Sequence, residues 1–425
     1  MKTHPPSLPV RTAIAGIGGF GAAHQDVHET LEKRGLSRVI ATCDPALDRL
    51  GEICDRHHFT DRGVKTYKDF DTMLSAHAGE IDLGVIAAPI QCHASMHKAF
   101  VRNQTACYLE KPPTLDPDEL EQMLIVEKDA AVATHVGFSH IFVKERLALK
   151  QRMLDGEFGA LKRLSFLGLT SRSHTYFQRN NWAGRLLLNG NLLLDSCLGN
   201  AMSHALNSLL FFGNQTSLQE WARPSTMACE LYRANPIEGT DTIFAIGRLD
   251  NNVEVRIAAS HACPRSMERS EERMEFEDAV ITIRSATDVT IERPGQASDT
   301  LTFPQQSLLN SVETYFEFLQ GKASRPAQRL QDCRGFVETN ALFYLAAGQI
   351  HDLPANAVSH PTPDAPVALI DVEEAGRRVI DEAVLPSQAG YSWASQGGSG
   401  RIETLPELRD TIETMTEVPA SGTAE

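Results

Sequence analysis

The stretch Val10-Arg11-Thr12-Ala13-Ile14-Ala15-Gly16-Ile17-Gly18-Gly19-Phe20-Gly21 decides how this chain reads. Its first six residues form a short apolar strand, and a helical run from Phe20 to Arg34 follows the glycines. Between them stands GxGxxG. Gly16 permits a tight turn, Gly18 lets the backbone approach a pyrophosphate, and Gly21 lets helix and strand pack closely. The helix N-terminus turns unbonded N–H groups and the positive end of its dipole toward phosphates. Taken alone, the motif also fits a bare structural loop. The second element is Asp44, which follows the next strand 23 residues after Gly21. A carboxylate there binds both ribose hydroxyls and repels a 2′-phosphate. NAD is therefore expected over NADP, with Arg49 near enough to keep NADP as the lesser alternative. The expected cofactor contacts begin with Gly16, Ile17, Gly18, Gly19, Phe20, Gly21 and Asp44.

The same texture extends to about residue 137. Strands are expected at 10–15, 38–43, 81–87, 106–109 and 133–138, alternating with helices at 20–34, 46–57, 70–78, 92–102 and 117–128. Such alternation builds a parallel sheet from βαβ units. Ligands of open α/β sheets bind at the carboxyl ends of the strands. Two motifs fall there. Glu110-Lys111-Pro112 follows the strand 106–109 and aims Lys111 at the crevice, with Glu110 placed to hold it. The other reading is a surface lysine beside a turn proline. Ala88-Pro89-Ile90-Gln91-Cys92-His93 follows the strand 81–87, so Pro89 and His93 join the expected cofactor contacts. Read alone, His93 is a helix-terminal histidine.

After residue 137 the pattern changes. A helix at 143–154 leads through Gly156-Glu157-Phe158-Gly159 into a strand at 161–170. A polar loop, a helix at 200–212, β-rich segments from 227 to 303 and helices at 307–320 and 329–349 follow. Successive strands with short turns predict a largely antiparallel sheet, hence an α+β domain. The expected division is 1–137, a Rossmann domain; 138–354, an α+β domain for substrate and oligomer contacts; and 355–425, an acidic, partly disordered extension. That extension holds a Pro-rich linker at 360–366, a helix at 372–383 and a Gly/Ser patch at 396–400.

Charge and composition exclude several classes. Lys plus Arg number 40 against 55 Asp plus Glu, a net charge of −15, with −8 in residues 355–425. Such a chain is no binder of nucleic-acid backbones. It shows no secretory signal and no membrane-spanning stretch, and its 8 cysteines include no CxxC pair; a cytoplasmic protein with reduced thiols is expected. The pairs His24/His28 and His93/His97 have helical i, i+4 spacing, but neither carries the glutamate of HExxH. They read as helix-surface or cofactor-edge residues, and no metal is expected.

The series Gly16–Gly21 with His24, Asp44, APIQCH, EKP and GEFG resembles the glucose–fructose oxidoreductase / inositol dehydrogenase / rhizopine-catabolism (Gfo/Idh/MocA) family over about residues 10–350. The resemblance implies a Rossmann domain followed by a domain with a large open sheet. It also implies NAD(P)-dependent oxidation or reduction of sugars and polyols. Lys111 then lies between nicotinamide and substrate, and Pro112 follows a cis peptide. Relatives commonly carry Asp-x-Gly-x-His-x-x-Asp in the second domain. Here Asp195 falls in place, but Gly199 stands for the histidine and Met202 for the second aspartate. His204 substitutes if its helix starts at Asn200. If the helix already runs from Ser196, His204 lies roughly 13 Å further along the axis than Asp195. Its alternative role is packing against the sheet.

The loop Arg172–Trp182 is rich in sugar-type contacts: Arg172 and Asn181 suit hydroxyls, and Trp182 suits a pyranose face. An interface loop uses the same residue types. His140 stands where relatives often have arginine. The expected activity is NAD-dependent hydride transfer from a hydroxyl-bearing carbon of a sugar, glycoside or cyclic polyol, with Lys111 as acid/base and Asp195 and His204 assisting. The alternatives are redox-neutral glycoside cleavage through a transient keto-sugar and a non-catalytic NAD-binding regulator. Relatives pack as dimers or tetramers through the open sheet, so a homo-oligomer is expected, because one large apolar face needs covering.

Overall fold

The computed structural model describes residues 6–360 and 365–417. They form two compact units. One takes the chain up to Thr114 with Asp118–Phe142 and Gln306–Cys333; the other takes Leu115–Pro117, Val143–Gln305 and the chain from Arg334.

The first unit is built on six parallel strands: β1 (Val10–Ala15), β2 (Ser37–Cys43), β3 (Lys65–Tyr67), β4 (Leu83–Ile86), β5 (Ala106–Leu109) and β6 (Thr134–Val136). Their order is β3-β2-β1-β4-β5-β6. Val10, Ile14, Leu83, Val85 and Tyr108 are buried in its core, as strands covered on both faces must be. Strand order reverses between β1 and β4, and their carboxyl ends flank the crevice where such sheets bind ligands. The strand β3 escapes periodicity because its three residues are exposed or half-exposed.

The boundary at residue 137 is corrected by the return of the chain. The helix Leu308–Leu319 places Val312, Tyr315, Phe316 and Leu319 in the same core as Val10, Ile14 and Tyr108. Tyr108 Oη and Ser311 Oγ share a 2.8 Å hydrogen bond beneath β5. An apolar helical stripe announces a helix, but not which sheet it will cover.

The second unit centres on a sheet with ten strands among the described residues. In spatial order it runs Asp299–Thr302, Asp288–Glu292, Val280–Arg284, Arg269–Phe276, β7 (Leu161–Leu169), Glu254–Ser260, Thr242–Leu249, Pro224–Arg233 and Ile350–Asp352; Gly398–Arg401 also pairs with Pro224–Arg233. Most pairs are antiparallel. Glu254–Ser260 lies parallel to β7, and Ile350–Asp352 lies parallel to Pro224–Arg233.

Residues 365–417 fold onto this unit. The helix Val372–Arg377 and the turn Arg378–Glu382 set Val372, Ala375, Val379 and Ile380 against Leu167, Leu169, Phe244 and Ala258 of the sheet. Trp393 closes the cluster edge-on to Tyr232, with ring centroids 5.3 Å apart. The face that argued for an oligomer is thus covered by the chain's own extension. The Gly/Ser patch runs into the strand Gly398–Arg401, with Thr226 opposite Arg401 and Cys229 opposite Gly398. A Cβ on Gly397 would stand 1.9 Å from Cys229 O, so only glycine admits this approach. Of the expected disorder, residues 361–364 and 418–425 lie outside the described residues. No helix among the described residues is long and apolar enough to cross a membrane.

Candidate active site

In the first unit the site is built around the glycine turn. Gly16 takes φ +111°, and a Cβ there would meet Ala87 O at 2.4 Å. A Cβ on Gly21 would meet Gly16 O at 2.5 Å. Both positions exclude larger residues and leave backbone facing the crevice. Asp44 stands at this turn: its Oδ2 accepts the N–H groups of Ile17 at 3.0 Å and Gly18 at 3.2 Å, and its Oδ1 accepts that of Ala46 at 2.9 Å. Phe20 opens the helix Phe20–Lys33 and is 56% exposed. The cradle, the helix N-terminus and the carboxylate fit an adenosine dinucleotide lacking a 2′-phosphate. Arg49 ends the short turn Leu47–Arg49 that follows.

Glu110-Lys111-Pro112 follows β5, and the Lys111–Pro112 peptide is cis. His24, fully buried, donates from Nε2 to Glu110 Oε1 at 2.8 Å. Glu110 Oε2 accepts the backbone N–H of Lys111 at 3.3 Å. Gly137 keeps this corner open, since a Cβ there would stand 3.0 Å from Tyr108 Oη and 3.3 Å from Glu110 Oε1. His24 therefore fixes the carboxylate that fixes the lysine turn, a link no spacing rule singles out. Pro89 caps the helix Ile90–Arg102.

His93 is held at both ring nitrogens. Its Nδ1 faces Pro112 O at 2.9 Å and its Nε2 faces Ala88 O at 2.8 Å, so it staples the β4 turn to the proline turn. Burial lowers its pKa against the opposing pull of the two carbonyls. The two histidine pairs are not on a helix surface: His24, His28, His93 and His97 are all buried. His28 Nδ1 shares a 2.9 Å hydrogen bond with Ser37 Oγ, and His97 Nε2 one of 2.8 Å with Thr134 Oγ1. His140 is half-buried in the turn Ser139–Phe142.

In the second unit Asp195 is buried and firmly tied. Its Oδ2 accepts Gly184 N at 2.6 Å, and its carbonyl accepts Tyr344 Oη at 3.0 Å. Ser196 caps the next turn by accepting Gly199 N at 2.7 Å, and Cys197–Ala201 winds as one wide helical turn ahead of Ser203–Gly213. Helical winding thus begins just after Ser196. That is the arrangement in which His204 is carried along the axis away from Asp195. Asp195 lines a recess together with Tyr176, Phe177, Asn200, Thr240 and His261. His261 is the residue that sequence reasoning missed. It follows the strand Glu254–Ser260, and its only signal was a histidine at the end of an alternating apolar run.

The recess adjoins a pocket of about 460 Å³, with which it shares Phe177, Gly184 and Ile237. Asn181, Arg185, Glu238 and Met415 also line this pocket. Trp182 does not: it is half-buried, and the Arg179 guanidinium lies 5.1 Å from its ring centroid. Arg172 stands over Tyr176, 4.8 Å from the ring centroid.

Residues 10–138 match the model of the GFO_IDH_MocA family, described as an oxidoreductase family with an NAD-binding Rossmann fold. Over these residues the chain is similar to that family's NAD-binding domain. The fold described for that family binds NAD. Inositol 2-dehydrogenase of Rhizobium meliloti (strain 1021) is 32% identical over 165 residues, which are 39% of this chain and 46% of that protein. The chain's match thus spans less than half the length of this relative. The WlbA dehydrogenase from Bordetella pertussis, solved with NADH and UDP-GlcNAcA, superposes with a TM-score of 0.65 at 15% identity, over 79% of this chain and 95% of that one. Levoglucosan dehydrogenase, solved with NADH and levoglucosan, gives 0.62 at 13% identity, over 78% and 95%. At these identities the likeness to the solved structures is one of fold.

Proposed function

We propose that this protein is an NAD-dependent oxidoreductase acting on a hydroxyl of a sugar, glycoside or cyclic polyol, with Lys111 as its acid/base. The observation that carries the reading is the Lys111 turn, at the end of β5 in an NAD-binding domain, braced by the buried His24–Glu110 contact. The relatives named above are dehydrogenases, two of them solved with a sugar compound and NADH, which supports the substrate class. Bound NAD supplies the hydride acceptor. The hydroxyl proton passes to Lys111 Nζ as the carbon gives up hydride, so charge does not build on the oxygen. To take that proton, Lys111 acts as the neutral amine.

The test loads the protein with NAD and adds polyols, free sugars and glycosides in turn, following reduced-nicotinamide absorbance alongside product. A sustained rise is expected with at least one compound. Lys111→Ala should lower kcat by about 10²–10⁴ while NAD still binds. Product without a lasting rise would replace this reading with redox-neutral glycoside cleavage. Full turnover by Lys111→Ala would remove the lysine from the mechanism.

A further inference from the structure

The end of the strand Glu254–Ser260 carries an acceptor that the proposed chemistry does not use. Glu254–Ser260 runs parallel to β7, with Ser260 opposite Leu169, so His261 and the loop after Leu169 leave the sheet at the same end. Thr242 pairs with Ser260 from the other side, and Ser196 bridges to Thr240. Cys197 Sγ reaches Ala259 O at 3.7 Å. Three segments far apart in sequence thus converge, and His261 comes to line the same recess as Asp195.

His261 is 3% exposed. Its Nδ1–H donates to Thr170 O at 2.8 Å, which fixes the tautomer. The Nε2 lone pair is left without a partner among the described residues. Burial chiefly, and the charges of Arg172 and Arg179 in smaller part, push the imidazole down to about 4 despite the bond to Thr170. At neutral pH its Nε2 can only accept. The recess offers about 10 Å³, close to the room of one water-sized group, and it opens beside the pocket of about 460 Å³.

We propose that this recess is a hydroxyl subsite, in which His261 Nε2 accepts the proton of one hydroxyl of a polyhydroxylated ligand seated in the adjoining pocket. The proposal deepens the oxidoreductase reading and rests on it for the ligand class. An unprotonated nitrogen in an oxygen-sized recess favours O–H donors and disfavours carbonyl, carboxylate and phosphate groups, which bring only lone pairs.

The test measures binding of the same polyol, sugar and glycoside panel to NAD-loaded wild type, His261→Phe and His261→Gln by calorimetry, with NADH formation followed in parallel. NAD affinity and thermal midpoint report whether each variant is folded. Phe keeps a planar ring without an acceptor, and Gln restores an acceptor. Folded His261→Phe should lose about tenfold in ligand affinity, with KM rising more than kcat falls, and His261→Gln should recover most of that loss. Unchanged affinity in folded His261→Phe would overturn the subsite, with a resident water as the occupant, and would leave the oxidoreductase reading standing. Binding that depends on His261 without redox chemistry would overturn that reading and keep the subsite. If no compound bound the wild type, both would fall.

Discussion

Two glycine-rich segments, Gly16–Gly21 and Gly397–Gly400, use the missing side chain for different ends. In the first, a strand, a turn and a helix follow one another directly, and the glycines bring each against its sequence neighbour and toward a ligand. In the second, the glycines bring residues near 400 against Cys229 and Ala346, far away in the chain. Turn glycines announce themselves by the strand before and the helix after. Long-range close approach leaves no such frame, so the second segment reads like a flexible linker. What a glycine does depends on the backbone it lets in.

Removing residues 355–425 should break this comparison most severely. The sheet would expose Leu167, Leu169, Tyr232 and Phe244, and soluble protein should be lost to aggregation, as chromatography of the truncated chain would show. Trp393→Ala acts on the same cover from one point. With the ring 7% exposed and packed on Tyr232, it should cost about 3–5 kcal/mol of stability in denaturant titration.

The two glycine segments can then be set directly against each other. Gly16→Val should lower NAD affinity by about 100-fold, near 2.7 kcal/mol, because its Cβ meets Ala87 O. Gly397→Val should leave the NAD affinity of the folded protein alone and lower stability by about 1–3 kcal/mol. An exchange of these two phenotypes would refute the distinction.

The last effect is graded with pH and belongs to the first unit. Burial holds His28, His97 and His135 down to about 3. Above the ~6.5 of an unfolded histidine, neither state binds a proton at these sites. Between there and about 3 the unfolded chain takes up protons that the folded one refuses, so stability falls as pH falls. Each histidine contributes up to ~1.4 kcal/mol per pH unit across that window. The thermal midpoint should therefore drop from pH 7 to pH 5; an unmoved midpoint would contradict it.

The N-terminal unit was legible because its chemistry sits on contiguous motifs at strand ends. The strands Val10–Ala15 and Ala106–Leu109, the helix Pro117–Lys128, the glycine turn and the cis-proline turn stand where the residues placed them. Sequence does not reveal that both ring nitrogens of His93 meet carbonyls. In the second unit, elements were legible and their partnerships were not. Periodicity gave the helix Leu308–Leu319 without its destination, and the helix near residue 372 without the sheet beneath it. Asp195 could be found by motif. His261 could not, because parallel pairing of two strands about 90 residues apart brings it to the recess.

The extension that covers the sheet also supplies Met415 and Thr416 to the wall of the 460 Å³ pocket. A wall lent by a second subunit would be lost on dilution, following the law of mass action. A wall on the same polypeptide is present at a fixed local concentration set by the tether, whatever the amount of protein in solution. The pocket therefore keeps this part of its shape independently of expression level, and ligand affinity at this wall should not vary with enzyme concentration.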